Sequence, residues 1–215
     1  MDDKKDKDKK KTAYINTILN TSIPLPSNYY DNKIYYNLKK ILEKKLVGRC
    51  YKKYGFIVKI YEMLTYEGGI IDHESLKASA KFNITFSCKL CQPIKNTQII
   101  CQVEGINPAI VLVENGPIVV AIPPHKINED VFFTDTDDNM RYKIGQTSKI
   151  LKQKDFVKVT ISRVAYHNKD DRIRTIGFLD DIATEKEKNI FFQDQYEESK
   201  FVDIDEYMKQ NINIV

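Results

Sequence analysis

Tryptophan is missing altogether from these 215 residues, and glycine (8), proline (7), histidine (3) and cysteine (4) are sparse. No glycine-rich phosphate loop, no HExxH and no GxSxG occurs, so P-loop, zincin and esterase chemistry have no motif to rest on. No apolar run approaches the roughly 20 residues that cross a bilayer. Met1 is followed by charge instead of a signal-peptide core, which predicts a soluble intracellular protein. The formal net charge of +4 lacks the strong basic balance of a dedicated nucleic-acid packer, while leaving room for a local basic patch. Isoleucine, lysine, asparagine and tyrosine are abundant instead, a bias typical of an AT-rich coding genome.

The cysteines are Cys50, Cys88, Cys91 and Cys101. The Cys88-x-x-Cys91 spacing is metal-like, but zinc needs two further ligands, and three residues along an extended strand turn the two thiols to opposite faces. Reduced core or strand cysteines are the expectation. Asp135, Asp137 and Asp138 begin with calcium-like spacing, yet Met140 stands where the turn glycine belongs and Gln146 where the twelfth, acidic ligand belongs. A metal-dependent nuclease or phosphatase built on these aspartates is therefore a weak reading. His73, His125 and His167 have no partner at a triad spacing. These residues describe a binding module, not an enzyme by itself, and no cofactor is expected.

What is present is alternation. Phe82, Ile84, Phe86, Cys88 and Leu90 are apolar while Asn83, Thr85, Ser87 and Lys89 between them are polar, the period of a half-buried antiparallel strand. Pro93 interrupts it, and a second alternation begins at Ile99, Cys101 and Val103. One strand finishes a first sheet and the chain passes almost directly into the first strand of a second. Residues 1–12 form a charged tail, expected to be disordered; 13–92 a first domain; 93–181 a second; 182–215 a C-terminal extension. In the first domain, Tyr14 to Leu25 reads as an edge strand. A helix follows over Asn32 to Leu46, capped by Asp31, with Ile34, Leu38, Ile41, Leu42 and Lys45 on one face. Gly48 to Tyr51 and Phe56 to Leu64 form a hairpin around Lys52–Gly55. Gly68 and Gly69 break the pattern, and a polar loop, Asp72 to Ser79, leads to the central strand. This is an α+β unit, one helix on an antiparallel sheet.

The second domain reads as all-β. Val111 and Val113 face Ile118 and Val120 across Asn115-Gly116, the strongest hairpin signal in the chain. Pro123-Pro124 ends the third strand, a polar segment spans Asn128 to Lys154, and Phe156 to Tyr166 pairs with Arg172 to Leu179. Five strands with a long excursion between the third and fourth is the grammar of an OB-fold barrel, with an SH3-like barrel as competitor. The extension, Ile182 to Val215, carries too many apolar residues for an inert tail, Ile190, Phe191, Phe192 and Tyr196 among them, and is expected to be partly helical and to dock on the body or on a partner. A helix aligning Phe201, Ile204, Tyr207 and Met208, starting near Glu198 and Ser199, is expected to dock on the body or on a partner.

The run LVGRCYKKYGFIVKI from Leu46, then Gly69-Ile-Ile, Lys81-Phe-Asn-Ile, Gln92-Pro-Ile-Lys, Val103-Glu-Gly-Ile-Asn-Pro, Gly116-Pro, Pro124-His125 and Arg172-Ile-Arg-Thr-Ile-Gly, resembles in order and spacing one known family. It is the larger stalk subunit of multisubunit DNA-directed RNA polymerases, which comprises the seventh subunit of polymerase II and its archaeal counterpart. The resemblance covers about residues 13–181 and implies an RNP-like tip domain followed by an OB-fold domain, acting without catalysis in transcription and its initiation. The charged N-terminus, the extension and the AT-rich bias are what a version carried by a large DNA virus would show.

The resemblance also implies partners. Polymerase core subunits would dock on Lys52, Lys53, Tyr54 and Gly55 and on Gly68, Gly69, Ile70 and Ile71. Nascent single-stranded RNA would meet Lys126, Lys158, Arg163, Tyr166, Lys169, Arg172 and Arg174, since basic groups neutralise phosphates and a ring stacks on any base. A smaller stalk subunit is a further partner that the extension could displace, and no membrane is involved. The location implied is with the transcription machinery: the nucleus for a cellular protein, the virion and host cytoplasm for a viral one. The competing function is a free-standing OB-fold RNA-binding factor in translation or RNA decay.

Overall fold

The computed structural model describes residues 12–71, 79–135, 139–145 and 147–196. These pack as two units, one built from 15–91 together with 167–171, the other from 12–14, 92–166 and 172–196. The architecture is mostly β, with two α-helices and one closed five-stranded barrel.

The first unit contains β1 (Tyr14–Pro26), α1 (Ile34–Leu46), β2 (Arg49–Tyr51), β3 (Gly55–Ile71) and β4 (Ser79–Cys91), with the sheet ordered β1-β4-β3-β2. The edge position of β1 accommodates its prolines. α1 lays Leu38, Leu42 and Leu46 into the core against Ile23, Leu25, Ile57, Ile84 and Phe86, with Ile34 and Ile41 at the margin. Leu46 takes the buried place expected of Lys45, which is exposed. The helix starts two residues later than its periodicity predicts. Asp31 is not its N-cap: Lys33 holds that place without a side-chain cap, and Asp31 accepts from the Lys33 N–H at 2.9 Å through the carboxylate and from the Ile34 N–H through its carbonyl, in the turn before the helix.

The buried residues of β3 recur at every third position: Ile57, Ile60 and Met63. Simple alternation forbids that spacing. Register shifts at Ile57/Lys59, Ile60/Glu62 and Met63/Thr65 supply the reason, because each inserts one extra residue on β3. Its inward side chains thus stay opposite Leu90, Cys88 and Phe86, which keep the ordinary period of two on β4. A further shift occurs at Gly68/Ile70. There Gly68 (φ +110°) and Gly69 (φ +87°) carry the strand through a bulge to Ile71 instead of ending it, a correction to the sequence reading. A Cβ on Gly68 would stand 2.9 Å from the Lys81 carbonyl oxygen, so only glycine fits.

The second unit runs β5 (Gln98–Asn107), β6 (Ile110–Asn115), β7 (Ile118–Ile122), β8 (Phe132–Thr134), β9 (Met140–Ile144), β10 (Thr147–Ile150), β11 (Phe156–Ala165), β12 (Ile173–Ile182) and α2 (Glu185–Tyr196). The barrel closes in the order β11-β12-β7-β6-β5, with β11 returning to β5 and with β12 parallel to β7. Its interior is filled by alternate residues such as Val111, Val113, Val120, Val157, Val159, Ile161 and Ile173. At the β6–β7 turn Asn115 is the last paired residue, with its side chain buried. It donates to the Ile100 carbonyl at 2.7 Å and accepts from the Tyr14 hydroxyl at 3.0 Å.

Between β7 and β11 the segment read as polar and irregular carries a small sheet, β8-β9-β10. Its strands of 3, 5 and 4 residues are too short to show a period. Asp135 forms an ion pair with Arg141 at 2.7 Å, while Asp137 and Asp138 lie outside the described residues.

The helix expected over 201–209 also lies outside them. A different helix, α2, occupies 185–196. It opens on half of a capping box, the Glu187 carboxylate reaching back to accept from the Thr184 N–H at 3.0 Å and from its hydroxyl at 2.9 Å. It is seated by Phe191, packed with Ile100, Ala183 and Phe156.

Candidate functional site

Along β12 the pleat sends Ile173, Thr175, Gly177 and Leu179 inward, and Arg174, Ile176 and Phe178 outward. Phe178 is 43% exposed, an aromatic ring standing on the outside of a barrel whose core it does not serve. Across the strand pair it faces Thr160, Ile176 faces Arg163, and Arg174 faces Ala165. The turn after β7, Pro124–Lys126, brings a cation from the side. The Lys126 ammonium lies 4.7 Å from the centre of the Phe178 ring and donates to the Ser162 hydroxyl at 2.9 Å. The product is an aromatic platform with a fixed cation on it, and exposed Arg163 and Arg174 follow on one side of it along the strand pair.

Arg163 also borders a second feature. A shallow groove of about 720 Å³ runs between Gln92–Lys95 and Ser162–Tyr166, lined by Lys95, Arg163 and Tyr166 with Ile94 beside them. Together these surfaces offer cations for phosphates and two kinds of ring for bases, around the paired strands β11 and β12.

Of the seven residues the sequence points to for RNA, the barrel thus gathers Lys126, Arg163, Tyr166 and Arg174, with Arg172 exposed at the start of the same strand. Lys158 is placed differently. Its ammonium is held by Asp181 at 3.0 Å and by Glu187 at 3.5 Å. Burial would lower its pKa, but the two carboxylates outweigh burial and hold it above the ordinary lysine value. Lys169 lies in the 167–171 loop, which packs with the first unit. Its N–H donates to the Cys50 carbonyl at 2.7 Å, and the Cys50 N–H donates to the Asp170 carbonyl, also at 2.7 Å.

Phe178, Ile176, Ser162 and Lys95 escape the sequence reading. The available signal is a break in strand grammar: Arg174, Ile176 and Phe178 put two large apolar residues on the face that the arginine marks as wet.

The docking residues fall into two groups at opposite ends of β3, separated by on the order of 50 Å of strand. Lys52–Gly55 form the β2–β3 turn. There the Lys52 N–H donates to the Asn168 side chain at 3.0 Å, and Tyr54 stacks on Tyr51 with ring centres 5.9 Å apart. Gly68–Ile71 form the far end, where Ile70 is 70% and Ile71 57% exposed. Tyr30 packs edge-on against Phe82, the residue paired with Gly68.

The cysteines are all buried and unbridged. Burial pushes the Cys50 thiol up to about 11, aided by Asp170 and Asp171, and burial pushes Cys88 up to about 12. Cys101 is raised further by burial and by Glu114. Among the described residues no His, Cys, Asp and Glu side chains cluster as a metal site. No described helix is long and apolar enough to cross a membrane.

No protein-family profile matches the chain. It is 32% identical over 185 residues to a protein of Acanthamoeba polyphaga mimivirus described as a DNA-directed RNA polymerase subunit, L376, across 86% of this chain and 90% of that one. DNA-directed RNA polymerase II subunit 7 of Arabidopsis thaliana is 23% identical over 120 residues, 56% of this chain and 67% of the other. For the polymerase II subunit RPB7 of Glycine max the identity is 23% over 124 residues, 58% and 69% of the two chains.

Proposed function

Since the chain belongs to the family of DNA-directed RNA polymerase subunits that includes subunit 7 of polymerase II, we propose that it is the non-catalytic stalk subunit of a transcription complex, attached through its first unit and holding emerging single-stranded RNA on its barrel. In this reading the first unit is the RNP-like tip domain and the barrel an OB fold. Numbered within the barrel, the strand order is 1-2-3-5-4-1 with the third and fifth strands parallel, a five-stranded Greek-key closure. The second unit's groove and platform take the RNA, and the far end of β3, with Ile70 and Ile71, takes the polymerase core.

The carrying observation is the outer face of β11 and β12, where Lys126 stands on the exposed Phe178 ring and Arg163 and Arg174 follow in turn along the strand pair toward the start of β12. Cations on a backbone track and a ring that accepts any base give binding that is salt-sensitive and tolerant of sequence. Arg172 and Tyr166 extend the track along the strands, whereas Lys169, in the 167–171 loop, belongs to the first unit. Lys158 is left to its carboxylates.

The test is RNA binding by the full chain across a salt series. Changing Lys126, Arg163 and Arg174 to Gln is expected to lower affinity and to flatten the log–log salt slope by about 0.7 for each phosphate no longer neutralised. Phe178→Ala is expected to weaken binding with the slope unchanged. An RNA affinity and slope identical to the parent chain in all these variants would move the RNA off this face.

A further inference from the structure

The first unit carries a second charged surface, on the side of α1 turned away from its core. At 100° per residue, Lys33, Tyr36, Lys40 and Lys44 fall within about 80° of one face, opposite the buried Leu38, Leu42 and Leu46. The stripe is about 16 Å long. All four residues are exposed, and among the described residues none of the three lysines has a carboxylate within ion-pair distance. The acid nearest Lys33 along the chain, Asp31, accepts from the Lys33 N–H and the Asn37 side chain, each at 2.9 Å, and Glu43 adjoins Lys44. Glu43 lies at the stripe's edge.

Tyr36 is the informative residue. Its neighbour Tyr35 has structural work: the hydroxyl donates to the Met63 carbonyl at 3.3 Å and the ring packs edge-on against Tyr66. Tyr36 is 62% exposed and, among the described residues, has neither a ring partner nor a hydrogen bond. A helix that only needs a wet outer face is served by lysine and glutamate. An unsupported ring between Lys33, one turn before, and Lys40, one turn after, adds a stacking surface to a row of cations.

We propose that this stripe is a second nucleic-acid surface, separate from the barrel face, in which Lys33, Lys40 and Lys44 neutralise successive phosphates of a single strand while an unpaired base stacks on Tyr36. The phosphodiester backbone is the ligand chemistry. The ring selects single-stranded over duplex sources, because a duplex has no free base face to offer.

The experiment uses the full chain with Lys126, Arg163 and Arg174 already changed to Gln, so that what is read does not depend on the barrel. The probes are an unstructured single-stranded oligoribonucleotide and a duplex DNA of equal length, with circular dichroism as the check on folding. Lys33→Gln, Lys40→Gln and Lys44→Gln together are expected to lower the single-strand salt slope by about 2, three phosphates at about 0.7 each. Tyr36→Ala is expected to cut single-strand affinity about tenfold with the slope and the duplex affinity unchanged. An unchanged slope and affinity in the triple variant overturns the proposal. So does a triple variant that binds RNA normally but no longer co-purifies with polymerase, which would assign the stripe to an acidic protein surface. Equal losses on both probes for Tyr36→Ala would remove the stacking role and with it the single-strand assignment.

Discussion

Gly177 shows how tightly one atom can be specified. A Cβ there would lie 2.6 Å from Val159 Cγ1, 2.8 Å from Val120 Cγ1 and 3.1 Å from the Thr160 carbonyl, inside the barrel where β12 is held between two strands. Gly177→Ala is therefore expected to destabilise the protein by about 1–3 kcal/mol through overpacking, read as a lower urea midpoint with an unchanged slope. The thiols make a second residue-level prediction. Cys50 at about 11 and Cys88 at about 12 sit above the ordinary 9.0, so the folded chain holds those protons more tightly than the unfolded one. Their contribution to stability is complete below about pH 9 and is lost as pH rises toward 11–12. Thiolate absorbance of the native protein should be flat through about pH 9, and a full native titration near that value would contradict the burial argument. At this scale the sequence is legible for charge and poorly legible for role. Arg163 and Arg174 are visible as basic residues on a strand. The ion pairs that engage Lys158 come from other elements, Asp181 on β12 and Glu187 on α2.

Among the elements, α2 lies in the extension read as partly helical, but not in the segment whose spacing favours a helix. Its apolar residues Ile190, Phe191 and Phe192 are consecutive, so no 3.6-residue stripe marks it, and the better-spaced 201–209 segment looks more helical by that criterion. The usable signal is Thr184-x-x-Glu187 ahead of that apolar run. Because Thr184 holds the first turn, Thr184→Ala is expected to cost about 1 kcal/mol of local stability. Hydrogen exchange should show faster amides over 185–196 with the barrel strands unaffected; unchanged protection would mean that Phe191 and Phe192 packing on Phe156 suffices alone. β3 breaks the alternation rule for a different reason, since bulges are encoded in partner register and leave no local trace. Its exposed end makes the docking prediction. Ile70→Asp with Ile71→Asp should abolish co-purification with polymerase subunits while leaving the circular dichroism spectrum intact, and retention of the complex would refute docking at that end.

For the whole molecule, the strands of both units are readable because half-buried antiparallel strands print their period in the chain, as Phe82 to Leu90 does. The small sheet in the excursion is not, because its strands are too short to print a period, nor is the attachment of 167–171 to the first unit, which depends on pairings distant in sequence. That attachment, with the parallel seating of β12 against β7, has a consequence for how the chain comes off the ribosome. The barrel lacks its closing strand until residue 182 is made, and the first unit lacks one of its hydrogen-bonded segments until residue 171. Neither unit can finish folding early in synthesis, although the first unit's own sheet is complete by residue 91. Until β12 is made, β7 and β11 each keep an open strand edge, the kind of surface on which nascent chains mispair. Chains halted before residue 171 should accordingly be captured by chaperones or lost to aggregation, whereas a chain extended only slightly past 182 should escape both.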